Sequence, residues 1–309
     1  MSTDVCAGWP AWTAEHAFAR YEELRAHLPA AAEGGAPVMA ETLEDVADRF
    51  DAFILDAFGV LNVGETPIPG AVDRISRLRQ LGKGLVVLTN GASKSQSAAL
   101  ARYHHLGFDF TPDEVVTSRD IAAAALGRWP RGHLWAAITA PGAGFEDIDA
   151  EVRPLAEDPG LLAAADGFLF LGSEGWTPAR QAELTAALSA LPRPLIVANP
   201  DVVAPRETGL SLEPGHFAYE IAAKTGITPE FFGKPHANAL DVAIARVGAQ
   251  LPRQRIAMVG DTLHTDVLGG LAAGIGTILV ARHGLFRGLD PAPFIARSGI
   301  VPQVIVETT

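Results

Sequence analysis

Apolar runs of strand length alternate along this chain with stretches of helical periodicity. Ala52 to Asp56 is an apolar run that ends in a carboxylate. Val72, Ile75, Leu78 and Leu81 fall on one stripe, which predicts a helix over 71–81 with Gly82 as its stop. Gly84 to Thr89 is apolar almost throughout, as a strand buried on both faces requires. A helix over 93–106 closed by Gly107, a short strand at Val115 and Val116, and a helix over 118–126 follow. The same rhythm returns after residue 231. It predicts a helix over 237–247, a strand over 255–260 ending at Asp261, a helix over 267–273 closed by Gly274, and a strand over 276–280. Strand–helix alternation of this kind marks an α/β fold, with a parallel sheet covered on both faces.

The middle of the chain carries a second set of elements. Candidate strands lie at 134–139, 167–172 and 194–198, with a helix over 178–191. Gly/Pro clusters at 140–144 and 176–178 break this stretch up. Residues 120–230 are therefore expected to form an α/β unit inserted into a first one made of 45–119 and 231–309. Residues 1–44 form an extension. Trp12, Phe18, Tyr21, Leu24 and Leu28 recur at near-helical spacing, which predicts an amphipathic helix over 14–28. A connector over 30–37 and a short helix over 42–50 lead into the first strand. The helix is expected to pack on the main domain rather than reach for a partner.

Composition narrows the class of partner. The formal net charge of −12 over 309 residues argues against nucleic acid, because a phosphate backbone needs a basic face. It also supplies no polybasic anchor for an anionic membrane. The single cysteine, Cys6, permits no intramolecular disulfide and fits a reducing compartment. The first residues lack a basic and then apolar leader, and no apolar run approaches the roughly 18 residues a spanning helix needs. A soluble cytoplasmic protein is expected.

Four segments place polar groups at the ends of apolar runs: Asp56; Thr89-Asn90-Gly91; Lys234; and Asp261 with Asp266. Strand ends of one polarity share an edge of a parallel sheet, where such sheets bind ligands. Two carboxylates, Asp56 and Asp261, suit a hard dication such as Mg²⁺ that also contacts a substrate phosphate. Thr89 and Asn90 can donate to phosphate oxygens. Lys234 supplies positive charge to the same oxygens and to a carboxylate nucleophile. Asp56 can then attack phosphorus and form an aspartyl phosphate. Each segment alone has a plain structural account: an N-cap, an Asn-Gly turn, a solvated lysine. Their order and joint occurrence favour the chemical one.

The ordered stretches ILDAFGV, VVLTNG, FGKPH and MVGDTLHTD resemble the motifs of the haloacid dehalogenase superfamily, over about residues 45 to 285. The TNG form, the long insert and the GDxxxTD form are similar to its class IIA branch, which includes the N-acetylglucosamine-phosphate and nitrophenyl-phosphate phosphatases. The resemblance implies a Rossmann-like parallel-sheet core with an inserted α/β cap. It implies Asp56 as nucleophile and Mg²⁺ ligand, and Lys234 bridging nucleophile and phosphate. Thr89, Asn90 and Gly91 would form the phosphoryl pocket. The backbone carbonyl of Phe58 and the Asp261 carboxylate would be further metal ligands, with Asp266 in support. The cap segment Val197-Ala198-Asn199-Pro200-Asp201 is similar to the family's NPD segment near the active site. Asn199, Asp201 and the Gly215-His216-Phe217 stretch are expected to choose the substrate, a small phosphorylated metabolite. A homodimer through the cap is implied by resemblance alone.

One position departs from the family pattern. Phosphatases of the family read DxD, the second Asp acting as proton donor and then as base. Here that residue is Phe58. Three readings follow. The protein is a phosphatase with reduced or specialised activity whose leaving group needs little protonation or whose acid comes from elsewhere, with His216, His236 and His264 as candidates by type. Or Asp56 attacks carbon, as in the haloacid dehalogenases, where an aromatic residue stands at this place. Or the chain binds phosphate or a metabolite without catalysis. The first reading predicts that Phe58→Asp raises activity on alkyl phosphates.

Overall fold

The computed structural model describes residues 8–30 and 35–309. Cys6 and part of the 30–37 connector lie outside the described residues. The main sheet has seven parallel strands. Across the sheet they run Val38–Ala40, Val304–Val306, Gly276–Val280, Ile256–Gly260, Ala52–Leu55, Gly84–Thr89 and Val115–Thr117. The α/β architecture expected from the apolar pattern is thus the one the chain adopts. Ala52–Leu55 explains the choice of strand. Phe53 and Leu55 enter the hydrophobic cluster on one face, while Ala52 and Ile54 enter the cluster on the other. A segment buried on both faces gains from apolar side chains at every position.

Strand register fixes the site. Asp56 follows a strand flanked by Ile256–Gly260 on one side and Gly84–Thr89 on the other. The Asp56 amide extends the ladder by donating to the Val259 carbonyl at 2.8 Å. Asp56, Thr89 and Asp261 therefore emerge side by side at one sheet edge.

A second sheet of five parallel strands runs Glu230–Phe231, Leu195–Val197, Gly167–Phe170, Leu134–Ile138 and Glu151–Pro154. Its two edge strands escape the periodicity reading. Glu151–Pro154 alternates exposed and half-buried and ends in proline, as edges tend to. Two hairpins also escape it: Asn62–Val63 with Thr66–Pro67 in the core, and Val203–Pro205 with Leu210–Leu212 in the cap. The helix expected from residue 267 begins instead with a π-helical turn, Leu263–Val267, followed by Leu268–Ala272.

The extension forms the helix Ala14–Glu23 and then a 3₁₀ turn, Arg25–His27. Thr13 caps the helix, with His16 returning the bond. Its buried face is Ala17, Phe18 and Tyr21, and these join one hydrophobic cluster with Phe168 and Phe217 of the cap and Val267 and Phe294 of the core. The helix is also tied by polar contacts. Glu15 pairs with Arg297 at 2.6 Å, and Glu22 reaches His264 at 2.5 Å. The Tyr21 ring stacks on His264 with centroids 4.9 Å apart, and its hydroxyl accepts the Val202 amide at 3.0 Å. The extension therefore bridges both units. No helix among the described residues is long and apolar enough to cross a membrane.

Tyr21→Phe keeps the ring and strands the buried Val202 N–H. A loss of about 1–3 kcal/mol is expected in denaturant unfolding, the cost of an unpaired buried donor. An unchanged midpoint would mean that water replaces the hydroxyl.

Candidate active site

Lys234 is the hub of the site. Its backbone is held twice by one side chain: the Lys234 N–H donates to Asn90 Oδ1 at 2.8 Å, and its carbonyl accepts from Asn90 Nδ2 at 2.9 Å. Its ammonium is buried, pairing with Asp56 and, at 2.8 Å, with Asp266 Oδ1. Burial works against the ammonium, but Asp266, Asp56 and Asp201 outweigh it and hold Lys234 above the ordinary lysine range.

The carboxylates surround this charge. Burial raises the Asp56 carboxyl to about 6, with Lys234 pulling it down and Asp266 pushing it up. Burial, then Asp266 and Asp56, raises Asp261 to about 8. Asp261 accepts the Leu285 N–H at 2.7 Å and the Thr262 hydroxyl at 3.0 Å. Asp266 accepts the Thr262 N–H at 3.1 Å. The π-helical turn carries Asp266 back under the strand end, and wide turns of this type recur at functional sites. Asp56, Asp261 and Asp266 each offer an oxygen within 4.8 Å of the others.

The phosphate-binding expectation for Thr89-Asn90-Gly91 meets a constraint. The Asn90 amide donates to both Asp201 Oδ1, at 2.8 Å, and the Lys234 carbonyl. Both of its side-chain N–H groups are engaged, which leaves its backbone N–H for a ligand. Thr89 lines the pocket beside Asp56, and its hydroxyl oxygen accepts the Gly91 N–H at 3.1 Å. Asn199 anchors the cap side. Its oxygen accepts the Asp201 N–H at 3.0 Å, and its nitrogen donates to Glu213 at 3.0 Å.

His216 is a correction. It is buried on the helix Pro214–Thr225, with its ring edge-on to Trp12 at 4.8 Å, and does not line the cleft. Burial lowers it to about 4. The extension that covers it could not be placed from sequence. His236 stacks on Phe231, and His264 lies between Tyr21 and Phe18. None of the three histidines faces the nucleophile.

Two spaces adjoin here, sharing Phe58, Thr89, Gly91, Asp201 and Ala204. The inner pocket is walled by Asp56, Phe58, Thr89, Asp201 and Asp261, among others. The outer cavity, about 440 Å³, is walled by Lys94, Arg102, Arg206 and Glu207 as well as residues of the inner pocket. The Phe58 ring is in cation–π contact with two guanidiniums, Arg102 at 5.1 Å and Arg206 at 5.4 Å from its centroid. Arg102 comes from the core helix Gln96–His105 and Arg206 from the turn of the cap hairpin. The Glu65 N–H donates to Glu207 at 2.8 Å, so core and cap hairpins touch at the rim. The sequence signal for this hairpin was Pro205-Arg206-Glu207-Thr208-Gly209 between two short apolar runs, with Gly209 at φ +81°.

Two family models match the chain: haloacid dehalogenase-like hydrolase over residues 53–148 and HAD-hydrolase-like over residues 231–294. In sequence the chain is similar to the D-glycerol 3-phosphate phosphatase of Mycobacterium tuberculosis, with 31% identity over 248 residues. That match covers 77% of this chain and 65% of the relative, so the chain spans just under two thirds of that protein's length. In structure it is similar to a possible sugar phosphatase of Cytophaga hutchinsonii, with a TM-score of 0.78 and 27% identity over 89% of this chain and 98% of the other. The glycerol phosphate phosphatase of M. tuberculosis also matches, with a TM-score of 0.65 and 28% identity over 84% and 74% in its calcium complex. It is known in a magnesium complex as well. The chain belongs to the haloacid dehalogenase superfamily of hydrolases, in its class IIA branch.

Proposed function

We propose that this chain is a Mg²⁺-dependent phosphatase of a small phosphorylated metabolite, acting through an aspartyl phosphate on Asp56. One observation carries the reading. The Asp56 carboxylate is paired with a buried lysine at the floor of a pocket, with two further carboxylates at ligand distance and a cavity beyond. Asp56 attacks phosphorus, and the bond to the leaving-group oxygen breaks. Lys234 orients the nucleophile and offsets charge on the phosphoryl oxygens. Water then displaces Asp56 from the phosphoenzyme. Asp261 and Asp266 beside Asp56 suit a metal-dependent phosphoryl enzyme better than displacement at carbon, which needs no dication. The sugar and glycerol phosphates of the relatives suit the polar cavity walls.

The donor set fits a hard dication. Three clustered carboxylates face one ammonium, and all candidate ligands are oxygens, the class that Mg²⁺ takes. Asp56, Asp261 and the Phe58 carbonyl would hold it, with Asp266 in support. Bound there, it would act as a Lewis acid toward the phosphoryl group. The surrounding glycines guard this space. A Cβ on Gly59 would stand 2.7 Å from Asp261 Cγ, and one on Gly284 would collide with the Asp261 carboxylate.

Phosphate release from glycerol 3-phosphate, sugar phosphates and p-nitrophenyl phosphate is expected with Mg²⁺ and lost with EDTA. Asp56→Asn should lower turnover by roughly 10⁴-fold or more, the scale of losing a covalent nucleophile. Chloride release from a 2-haloacid without Mg²⁺ would overturn the reading. Gly284→Ala pushes on Asp261 without an unfavourable φ at residue 284. Calorimetric titration should show Mg²⁺ affinity reduced about 10–100-fold, as for other changes that misorient a ligand.

The environment of Phe58 reverses the expectation for Phe58→Asp. A carboxyl at position 58 would stand near two guanidiniums, which favour its ionised form and make it a poorer acid. The variant should show no gain in kcat on glycerol 3-phosphate, and a clear rise would restore the original expectation.

A further inference from the structure

With an aromatic ring at position 58 and three histidines packed away from the cleft, the leaving-group oxygen needs a proton donor from elsewhere. The inner pocket and outer cavity share a wall of Phe58, Thr89, Gly91, Asp201 and Ala204. A phosphate ester with its phosphorus at Asp56 and its remainder in the outer cavity crosses that wall, with its bridging oxygen beside it. Of the five residues, only Asp201 carries a carboxyl. We propose that Asp201, a cap residue, is the general acid and base of this phosphatase. This rests on the phosphatase reading above.

The carboxyl is held in place. The Asp201 N–H is fixed by Asn199 at 3.0 Å, and its Oδ1 accepts from Asn90 at 2.8 Å. Its Oδ2 has no hydrogen-bond partner among the described residues. Asn90 also holds Lys234, so one amide sets both the acid and the lysine that pairs with the nucleophile. The charged and titratable groups facing Asp201 are Lys234, Asp56, Asp266 and Tyr21. Burial pushes the carboxyl well above its usual range, Lys234 opposes this, and Asp56 and Asp266 reinforce it. Burial thus favours the neutral form, the form that can donate a proton.

The steps balance. An Asp56 oxygen bonds to phosphorus as the P–O bond to the leaving group breaks, and the Asp201 proton passes to that oxygen, releasing an alcohol. The Asp201 carboxylate then takes a proton from water as the water oxygen attacks phosphorus. The P–O bond to Asp56 breaks, inorganic phosphate leaves, and both aspartates return to their starting states.

Asp201→Asn keeps an acceptor for Asn90 and loses the proton. Rapid-quench measurement of the Mg²⁺-loaded enzyme should show phosphorylation by glycerol 3-phosphate slowed about 10²–10⁴-fold, the usual worth of acid–base catalysis. Phosphorylation by p-nitrophenyl phosphate, whose leaving group needs no acid, should change little. Its product should appear as a burst equal to the enzyme, followed by slow turnover as the base is missing. Asp201→Glu should recover part of the alkyl rate. Equal losses on the two substrates, or no loss on either, would overturn the assignment and leave the phosphatase reading standing. A wild-type enzyme that releases no phosphate from any ester removes both. If the variant fails to fold, the wild-type enzyme decides. A series of alkyl and aryl phosphates should show phosphorylation rates nearly independent of leaving-group basicity, whereas a steep dependence means that no acid acts.

Discussion

A buried ammonium and the carboxylates around it are mutually obligatory. Lys234 sits between Asp56 and Asp266 with almost no solvent access. Taking any one of these ions out of water alone would cost several kcal/mol. The pairs therefore hold together three segments remote in sequence: the strand end at Asp56, the turn at Asp266 and the connection at Gly233-Lys234-Pro235. Asn90 joins a fourth by gripping the Lys234 backbone on both sides. Gly233 permits this grip, since its φ is +129° and a Cβ there would stand 2.5 Å from Asn90 Oδ1. The pocket is thus built by electrostatic necessity on the frame of a parallel sheet.

The cap is tied to this frame at the same places that line the cleft. Asn90 bonds Asp201, Glu65 bonds Glu207, and Phe58 touches both Arg102 of the core and Arg206 of the cap. Behind the cleft, Tyr21 holds the Val202 amide while its ring rests on His264, two residues from Asp266. The extension thus supports the backbone on both sides of the site, through one residue in the cap and one in the core. Its helix needs this setting. Ten residues are too few to hold a helix in water, and its stability comes from the apolar face it buries.

Much of this was legible in the sequence, for reasons that differ by residue. Asp56 and Asp261 stood out because strands buried on both faces are apolar to their last position, and a carboxylate there breaks the pattern. Lys234 was legible only in company, since nothing local tells a buried lysine from a solvated one. The cap hairpin and the edge strands are too short and too mixed in polarity for a period to register. His216 was misread because its partner, Trp12, lies about two hundred residues away, and the side that a helix face turns to a distant segment is not a local property. Asn90 reads as a turn residue or a phosphate donor, and only tertiary contact shows its amide already spent. The surroundings of Phe58 were hidden in the same way, since each flanking arginine belongs to a different element.

Those arginines give the ring at position 58 a physical role. Cation–π contact with each guanidinium is worth about 0.5–2 kcal/mol, depending on how far water is excluded. Phe58 thereby links a core helix to the cap hairpin without adding a negative charge to a crowded acidic site. A carboxylate there would join Asp56, Asp261 and Asp266 and compete with them for Lys234 and for a dication. Moving the acid to Asp201 separates the two tasks. Under the proposed assignment, metal and nucleophile would stay on the core and proton transfer would come from the cap. The Asn90 amide, bonded to Asp201 and to the Lys234 carbonyl, keeps those two parts in register.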